Sequence, residues 1–419
     1  MYWQNLNHKK IGIWGMGKEG QAARRALSHY CPDSSLIDID ESNVSNIFSC
    51  DVLIKSPGVS LYRPEIQEAA QKGVTITSGT NLFFANKSSS TQVIAVTGTK
   101  GKSTTSSLLA HTLKHLNQSV ELGGNIGVPL LDLVDTTSDY VVAELSSYQC
   151  ADFVGHPYIG VLVNLYPEHL QWHGSHDRYH EDKLHMIRQA YRCVLNASDP
   201  ETIRKTTHIS AHYFNESKAI HIKDSLFYNG DTPLFPIDVL PLPGLHNAEN
   251  ACAVLTVVHM LGLRLEECAE AFKTFQALPH RLQVIGHKNG ITYVDDSIST
   301  TPETAIAALK AIDKGQPITL IAGGLDRGQD YRSLASFLGE HADRMRLVAL
   351  PETGKILADM TQRQGVETSL VSDMPSAVSV AQHMTPSGGS ILLSPAAPSY
   401  NMYLNFEERG NDFKRWIEL

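Results

Sequence analysis

Long apolar runs are missing from this chain of 419 residues. No stretch approaches the roughly 18 consecutive apolar residues of a membrane-spanning helix, so insertion into a bilayer is not expected. The opening MYWQNLNHKK lacks the apolar core of a signal peptide, and a cytoplasmic location is the expectation. Cysteine is scarce and scattered. The six, Cys31, Cys50, Cys150, Cys193, Cys252 and Cys268, form no C-x-x-C pair, and none stands at metal-ligand spacing with histidine. That argues against a disulfide scaffold and a zinc site, and for reduced thiols. Positive charge is in deficit: at a net charge of -9 and a pI near 6.1 the surface as a whole repels a phosphate backbone. Nucleic acid is therefore not expected as the main partner, and an anionic ligand must be held by local donors. Internal repeats and low-complexity tracts are absent too. What is present is 42% hydrophobic residue, over a length that suits two or three domains of ~100–200 residues each.

Val93 to Thr105 reads VIAVTGTKGKSTT, an apolar β-branched run that breaks into a glycine-lysine-serine loop and then a helix-forming stretch. In such a loop Gly98, Thr99, Lys100 and Gly101 turn backbone N–H groups toward phosphate oxygens, and the following helix adds its positive end. Lys102 is placed to reach the terminal phosphates of ATP, and Ser103, with Thr104 beside it, to offer a hydroxyl to Mg²⁺. The spacing departs from G-x-x-x-x-G-K-[ST], because the glycine pair is Gly98-x-x-Gly101. A plain strand-to-helix turn is the competing reading.

Lys10 to Gly20 is a short strand followed by G-x-G-x-x-G, with Gly15 and Gly17 leading, and Asp38 and Asp40 follow at about the distance of a ribose-binding carboxylate. Alone it predicts a nicotinamide-dependent dehydrogenase. A second strand and turn, Asp51 to Gly58 with Ser56, Pro57 and Gly58 at the turn, lets the same half-Rossmann unit bind a uridine nucleotide instead. The polar stretch from Asn86 to Gln92 reads as a linker. Beyond it strands are expected at Tyr140 to Leu145, Ile159 to Leu165 and Val194 to Asn196. Helices are expected at Ser103 to Leu116 and Tyr179 to Tyr191, and Thr206 to Leu240 reads as an antiparallel edge. A long apolar helix is expected from Leu245 to Leu261, opened by Pro243-Gly244. Further strands follow at Gly290 to Asp295, Ile318 to Ala322, Arg346 to Ala349 and Ser390 to Leu393. This βαβ alternation predicts an α/β protein of three domains: a Rossmann-like unit over 1–88, a central P-loop unit with a mostly parallel sheet over 89–280, and a doubly wound unit over 281–419.

The spelling T-G-T-x-G-K-S-T resembles the ATP-dependent amide ligases of peptidoglycan and folate metabolism. Further along stand Gly123-Gly-Asn-Ile-Gly127, Glu144-Leu-Ser-Ser-Tyr-Gln149, Asn164-x-x-Pro-Glu-His169, Gly244-Leu-His-Asn247, Leu278-Pro-His-Arg281, Asp295-Asp-Ser297 and Leu393-Ser-Pro395. Their order and spacing resemble the Mur ligases, nearest the glutamate-adding MurD type, over nearly the whole chain. The resemblance implies a monomeric enzyme that uses ATP and Mg²⁺ to join glutamate to UDP-N-acetylmuramoyl-L-alanine through an acyl phosphate. Gly15, Gly17, Ser56, Pro57 and Gly58 then belong to the domain that holds the UDP end, and Asn125 and Ser146 to the substrate site. Glu144 becomes a metal-ligating carboxylate near the end of its strand, where capping the next helix is the alternative. His169 takes the place of a histidine near a second Mg²⁺. Lys183, by residue type a surface lysine, takes the place of a carbamylated lysine whose anion holds the metal. Asn247 and Asn250 fall near the adenine, with helix capping as the rival role for Asn247. Arg281 and Asp296 match positions that contact ATP.

For the incoming amino acid the resemblance points to Arg327, a basic residue in Gly323-Gly-Leu-Asp-Arg-Gly328, to Ser399 of Ser394-Pro-Ala-Ala-Pro-Ser399, and to Phe406. Arg327 suits a carboxylate bidentately, and Ser399 suits a hydrogen bond to one. Ile298 stands where the D-glutamate ligases have lysine. With Trp14, Lys55-Ser-Pro-Gly58 and the Trp172-His173 segment, that departure is similar to the MurD-like subgroup that adds L-glutamate, and L-glutamate is the expectation, with D-glutamate as the alternative. A folylpolyglutamate-type ligase, which would lack the N-terminal UDP domain, and a nucleotide sensor without chemistry are the remaining rivals.

Overall fold

Short β-branched runs set between glycine turns and helices build three separate sheets among the described residues. The structure is a computed structural model that describes residues 1–166, 170–242, 244–276 and 279–417, with Leu170 and Gln171 described by backbone alone. The chain divides into two compact units, Met1–Phe275 and Gln276–Leu419. The expected α/β class with mostly parallel sheets is what is found.

The first sheet has four parallel strands, β1 (Lys10–Trp14), β2 (Ser35–Ile39), β3 (Val52–Lys55) and β4 (Thr75–Ser78), in the order β2-β1-β3-β4. The G-x-G-x-x-G turn leaves β1 and enters the helix Lys18–Tyr30. A Cβ on Gly20 would lie 1.9 Å from the carbonyl oxygen of Gly15, so only glycine lets this helix close onto the turn. Asp38, the candidate ribose carboxylate, is ion-paired with Arg24.

Nine strands form the second sheet: β5 (Gln92–Thr97), β6 (Val120–Gly124), β7 (Tyr140–Glu144), β8 (Ile159–Leu162), β9 (Arg192–Asn196), β10 (His212–Phe214), β11 (Ile220–Lys223), β12 (Leu226–Asn229) and β13 (Thr232–Pro236). Their order is β13-β12-β11-β10-β9-β8-β5-β7-β6. The expected antiparallel edge is shorter than the sequence suggests. β10 pairs parallel with both β9 and β11, and only the β11-β12-β13 meander runs antiparallel. On β5 the side chains alternate strictly: Ile94 and Val96 enter the core shared with the helix Leu245–Met260, while Val93 and Ala95 enter a second core on the opposite face. That second core also contains Ile11, Ile13, Ala22 and Leu27, so the first sheet packs onto the second through continuous apolar contact.

The second unit holds β14 (Gln283–Lys288), β15 (Ile291–Asp295), β16 (Ile318–Gly324), β17 (Met345–Glu352), β18 (Thr368–Leu370) and β19 (Ser390–Leu393), ordered β14-β15-β19-β16-β17-β18. Only β14 runs antiparallel to its neighbour. Apolar clusters lie on both faces, as a doubly wound sheet requires.

Candidate active site

The glycine-lysine loop leaves the carboxyl end of β5 and ends at Gly101, which caps the helix Lys102–His115 in the left-handed region at φ 79°. A Cβ at Gly101 would fall 2.6 Å from Oδ1 of Asn250, so glycine answers both the backbone angle and the close approach of that buried asparagine. The sequence predicts that the whole loop offers N–H groups to phosphate, and in the structure two of those amides are hydrogen-bonded to a side chain of the protein. Oδ1 of Asn164 accepts from Thr99 N at 3.0 Å and Lys100 N at 2.9 Å, and its Nδ2 donates to Lys100 O at 3.1 Å. The loop leans on the exit of a neighbouring strand. Lys102, Ser103 and Thr104 form the first turn of the helix that follows, at its positive end.

Two lysines meet at the loop. Lys102 Nζ donates to Gly98 O at 2.9 Å and Thr99 O at 3.0 Å, and Lys183 Nζ donates to the same Gly98 O at 2.7 Å. The surface reading of Lys183 fails, because its side chain is 1% exposed. It lies on the helix His176–Ile187, which starts three residues earlier than expected because Ser175 caps it. One turn before Lys183, Tyr179 donates its hydroxyl to Thr99 Oγ1 at 3.0 Å, so this helix grips the loop at two points.

Glu144 ends β7, in register with Val96 of β5, and is completely buried. It does not cap the next helix. Ser146 does, accepting from Gln149 N in a reciprocal capping box that engages the Ser146 hydroxyl. Oε1 of Glu144 accepts from Asn125 Nδ2 at 2.7 Å, whereas Oε2 is buried without a hydrogen-bond partner. A buried carboxylate oxygen left bare at a strand end beside a phosphate loop fits Mg²⁺, which takes one or two protein carboxylates and completes its shell with phosphate and water. The described residues contain no group of three or more His, Cys, Asp or Glu that would hold a metal alone. His169 lies outside the described residues, as do Pro243 and Leu278 of the flanking motifs.

Around Lys183 a polar chain runs to the first sheet. Tyr62 donates to Asp182 Oδ1 at 2.6 Å, Asp182 Oδ2 pairs with His173 Nδ1 at 2.5 Å, and His173 Nε2 meets Ser147 Oγ at 3.0 Å. Beside it Lys55, also buried, pairs with Asp152 at 3.3 Å and faces the Trp172 ring. Burial raises the Asp152 carboxyl above its ordinary value, and the Lys55 charge opposes that shift. At the G-x-G-x-x-G turn of the first sheet, Ser56 donates to Gly15 O at 2.5 Å, and a Cβ on Gly17 or Gly58 would meet nothing within 4 Å. Those two glycines border open space, as a ligand-facing turn should.

Asn247 and Asn250 lie in the first two turns of the helix Leu245–Met260, whose N-cap is Gly244 rather than Asn247. In the second unit Asp296 is buried and accepts from Ser299 Oγ at 2.5 Å, Ser394 Oγ at 2.8 Å and Leu282 N at 3.1 Å. Burial pushes its carboxyl up to about 6, against those hydrogen bonds and the charge of Arg281. Arg281 keeps a buried Nε without a hydrogen-bond partner. Ile298 is half-buried, Arg327 is exposed with its guanidinium over the Tyr400 ring, Ser399 is buried and Phe406 begins the helix Phe406–Ile417.

Residues 96–258 match the Mur ligase middle domain, and residues 280–397 match the Mur ligase glutamate ligase domain. The chain is 37% identical to a Micromonospora protein named UDP-N-acetylmuramoyl-L-alanine--L-glutamate ligase, over 98% of this chain and 96% of that one. A Xanthomonas campestris protein of the same name is also 37% identical, over 97% and 95%. The chain belongs to the Mur ligase family. Its fold is shared by solved structures such as UDP-N-acetylmuramate-alanine ligase MurC from Thermotoga maritima, at a TM-score of 0.63 and 22% identity over 98% of this chain and 99% of that one. MurF ligase from the same organism, solved in complex with ADP, gives 0.59 and 17% over 100% and 97%.

Members of this family are ATP-dependent ligases, and in this Mur ligase the glycine-lysine loop is held by residues that local sequence reading passes over. Asn164 had a signal, its place at the head of the Asn164-x-x-Pro-Glu-His169 motif, but nothing in the sequence says that it bonds the loop. Tyr179 carries no signal beyond standing four residues before Lys183 on one helical face.

Proposed function

We propose that this Mur ligase joins L-glutamate to UDP-N-acetylmuramoyl-L-alanine, converting ATP to ADP and phosphate through an acyl phosphate. Two observations support it: the two lysine amines that converge on Gly98 O beside a phosphate loop, and near full-length likeness to relatives named for that reaction. The three domains are 1–88, 89–280 and 281–419. The enzyme acts as a monomer in the cytoplasm.

In the first step a carboxylate oxygen of the muramoyl-alanine attacks the γ-phosphorus and the bond to ADP breaks. Lys102 and the first-turn amides of Ser103 and Thr104 hold the negative oxygens in line, so charge that builds in the transition state meets donors already in place. In the second step the glutamate amine attacks the acyl carbon, loses a proton and expels phosphate. Ser103, Glu144 through its bare Oε2, His169 and a carbamylated Lys183 would hold Mg²⁺. When bound, the ion supplies charge neutralisation on the phosphate oxygens. Asn247, Asn250, Arg281 and Asp296 are the further ATP contacts. Gly15, Gly17 and the Ser56, Pro57, Gly58 turn bind the uridine nucleotide, Asn125 and Ser146 line the muramoyl-alanine, and Arg327, Ser399 and Phe406 bind glutamate. Ile298 leaves the amino-acid site without the lysine of the D-glutamate ligases, which supports the L-isomer.

Substrate carrying heavy oxygen in its alanyl carboxylate tests the intermediate. One labelled oxygen per phosphate released is the expected result, and unlabelled phosphate accompanied by amide product would refute the acyl phosphate.

A further inference from the structure

Arg409 is the largest fully buried side chain among the described residues, 1% exposed, and the sequence assigns it nothing. Its Nε donates to Ser297 Oγ at 3.0 Å, Nη2 to Ser297 O at 2.8 Å and Nη1 to Ala397 O at 3.0 Å. All three acceptors are neutral. Asp295, the nearby carboxylate, is engaged by His280 Nδ1 at 2.7 Å and by Lys414 Nζ at 3.3 Å. A hydrocarbon would fill the same volume without the penalty of burying a charge, so the position asks for what only a guanidinium has, a rigid fork of several donors.

The fork bonds two segments distant in sequence, at Ser297 and Ala397, and two more, at Phe406 and Gly324, lie against them. Ser297 and its neighbour Ile298 follow β15. Ala397 and Pro398 lead to Ser399. Ser297 Oγ donates to Phe406 O at 2.8 Å while accepting from Arg409. Gly324, on the loop that leads to Arg327, is the fourth: a Cβ there would lie 3.2 Å from Arg409 Nη1 and 2.3 Å from Pro398 O. That loop is further laced to its neighbour by Gly323 N to Pro395 O at 2.8 Å and Leu325 N to Pro398 O at 2.9 Å. Each of the four segments carries one residue of the glutamate site proposed above: Ile298, Ser399, Phe406 and Arg327.

We infer that Arg409 is a positioning residue for the amino-acid substrate, setting the four glutamate-binding segments in register from behind without touching glutamate itself. The inference rests on the reading of this unit as the glutamate site. Affinity and selectivity for a small dicarboxylate depend on donors fixed to a fraction of an ångström, and Arg409 braces the Ala397 segment that leads to Ser399 and to which the Arg327 loop is in turn bonded.

Steady-state kinetics of the full-length Arg409→Lys variant tests it, because lysine keeps the charge and loses the fork. The KM for L-glutamate is expected to rise about tenfold or more while the KM values for ATP and UDP-N-acetylmuramoyl-L-alanine move by less than about twofold. The preference for L-glutamate over L-aspartate, as a ratio of kcat/KM, should narrow as well. An unchanged glutamate KM, or all three KM values rising together, overturns the inference. Should the lysine variant fail to fold, Ser297→Ala removes the Nε acceptor and the link to Phe406 while leaving Arg409 both carbonyls. It should give the same pattern more weakly, and an unmoved glutamate KM there overturns the inference equally. Wild-type protein that releases no phosphate with glutamate would instead bring down the ligase reading beneath it.

Discussion

Lys102→Ala is expected to lower kcat for substrate-dependent phosphate release by at least about a thousandfold. The lysine starts the phosphate-loop helix and is already turned back over the loop, on Gly98 O and Thr99 O. Alanine keeps the helix start, since the cap is the backbone of Gly101, so folding should be spared and thermal unfolding should shift little. Thr99 and Lys100 have their amides committed to Asn164, so few other donors replace the lost charge. Turnover near the wild-type rate, measured as ATP converted with substrate and L-glutamate present, would remove Lys102 from the phosphate site.

The second large effect is expected at Lys183→Ala: loss of activity to below about a thousandth of wild type, partly recovered by short carboxylic acids. Two roles are separable there. The hydrogen bond from Lys183 to Gly98 O braces the loop, and its loss alone would weaken ATP binding. The carbamate proposed on the same nitrogen supplies an anion in a buried place, and only that role is rescued by a carboxylate added from solution. An alanine variant that binds ATP normally, turns over slowly and speeds up with added acetate or formate fits the carbamate. Full activity without additive would exclude Lys183 from the site.

Most of the architecture was legible in the sequence because it is written in local pattern. Apolar runs bordered by glycine located β1, β5, β15 and β19 almost to the residue, and parallel strands buried on both faces leave that signature. The glycine-lysine loop and the glycines of the first turn were readable for the same reason: a left-handed or closely approached backbone position admits little else. What was not legible is tertiary. Asn164, Tyr179 and Arg409 bond groups 65, 80 and 112 residues away, and neither periodicity nor spacing encodes a partner so remote. The fate of the β10 edge was misjudged because short alternating strands read alike whether their neighbours run parallel or antiparallel. The burial of Lys183 was visible only through resemblance, since its helix is polar enough to pass for a surface one.

The central claim is that this chain ligates L-glutamate to UDP-N-acetylmuramoyl-L-alanine, and mass analysis of the nucleotide product tests it most directly. Purified protein is incubated with ATP, Mg²⁺ and the acceptor, with L-glutamate in one reaction and D-glutamate in the other. A dipeptide product with L-glutamate and none with D-glutamate is the predicted result. Product with D-glutamate alone would contradict the stereochemistry assigned to the Ile298 site, and no product with either would contradict the ligase itself.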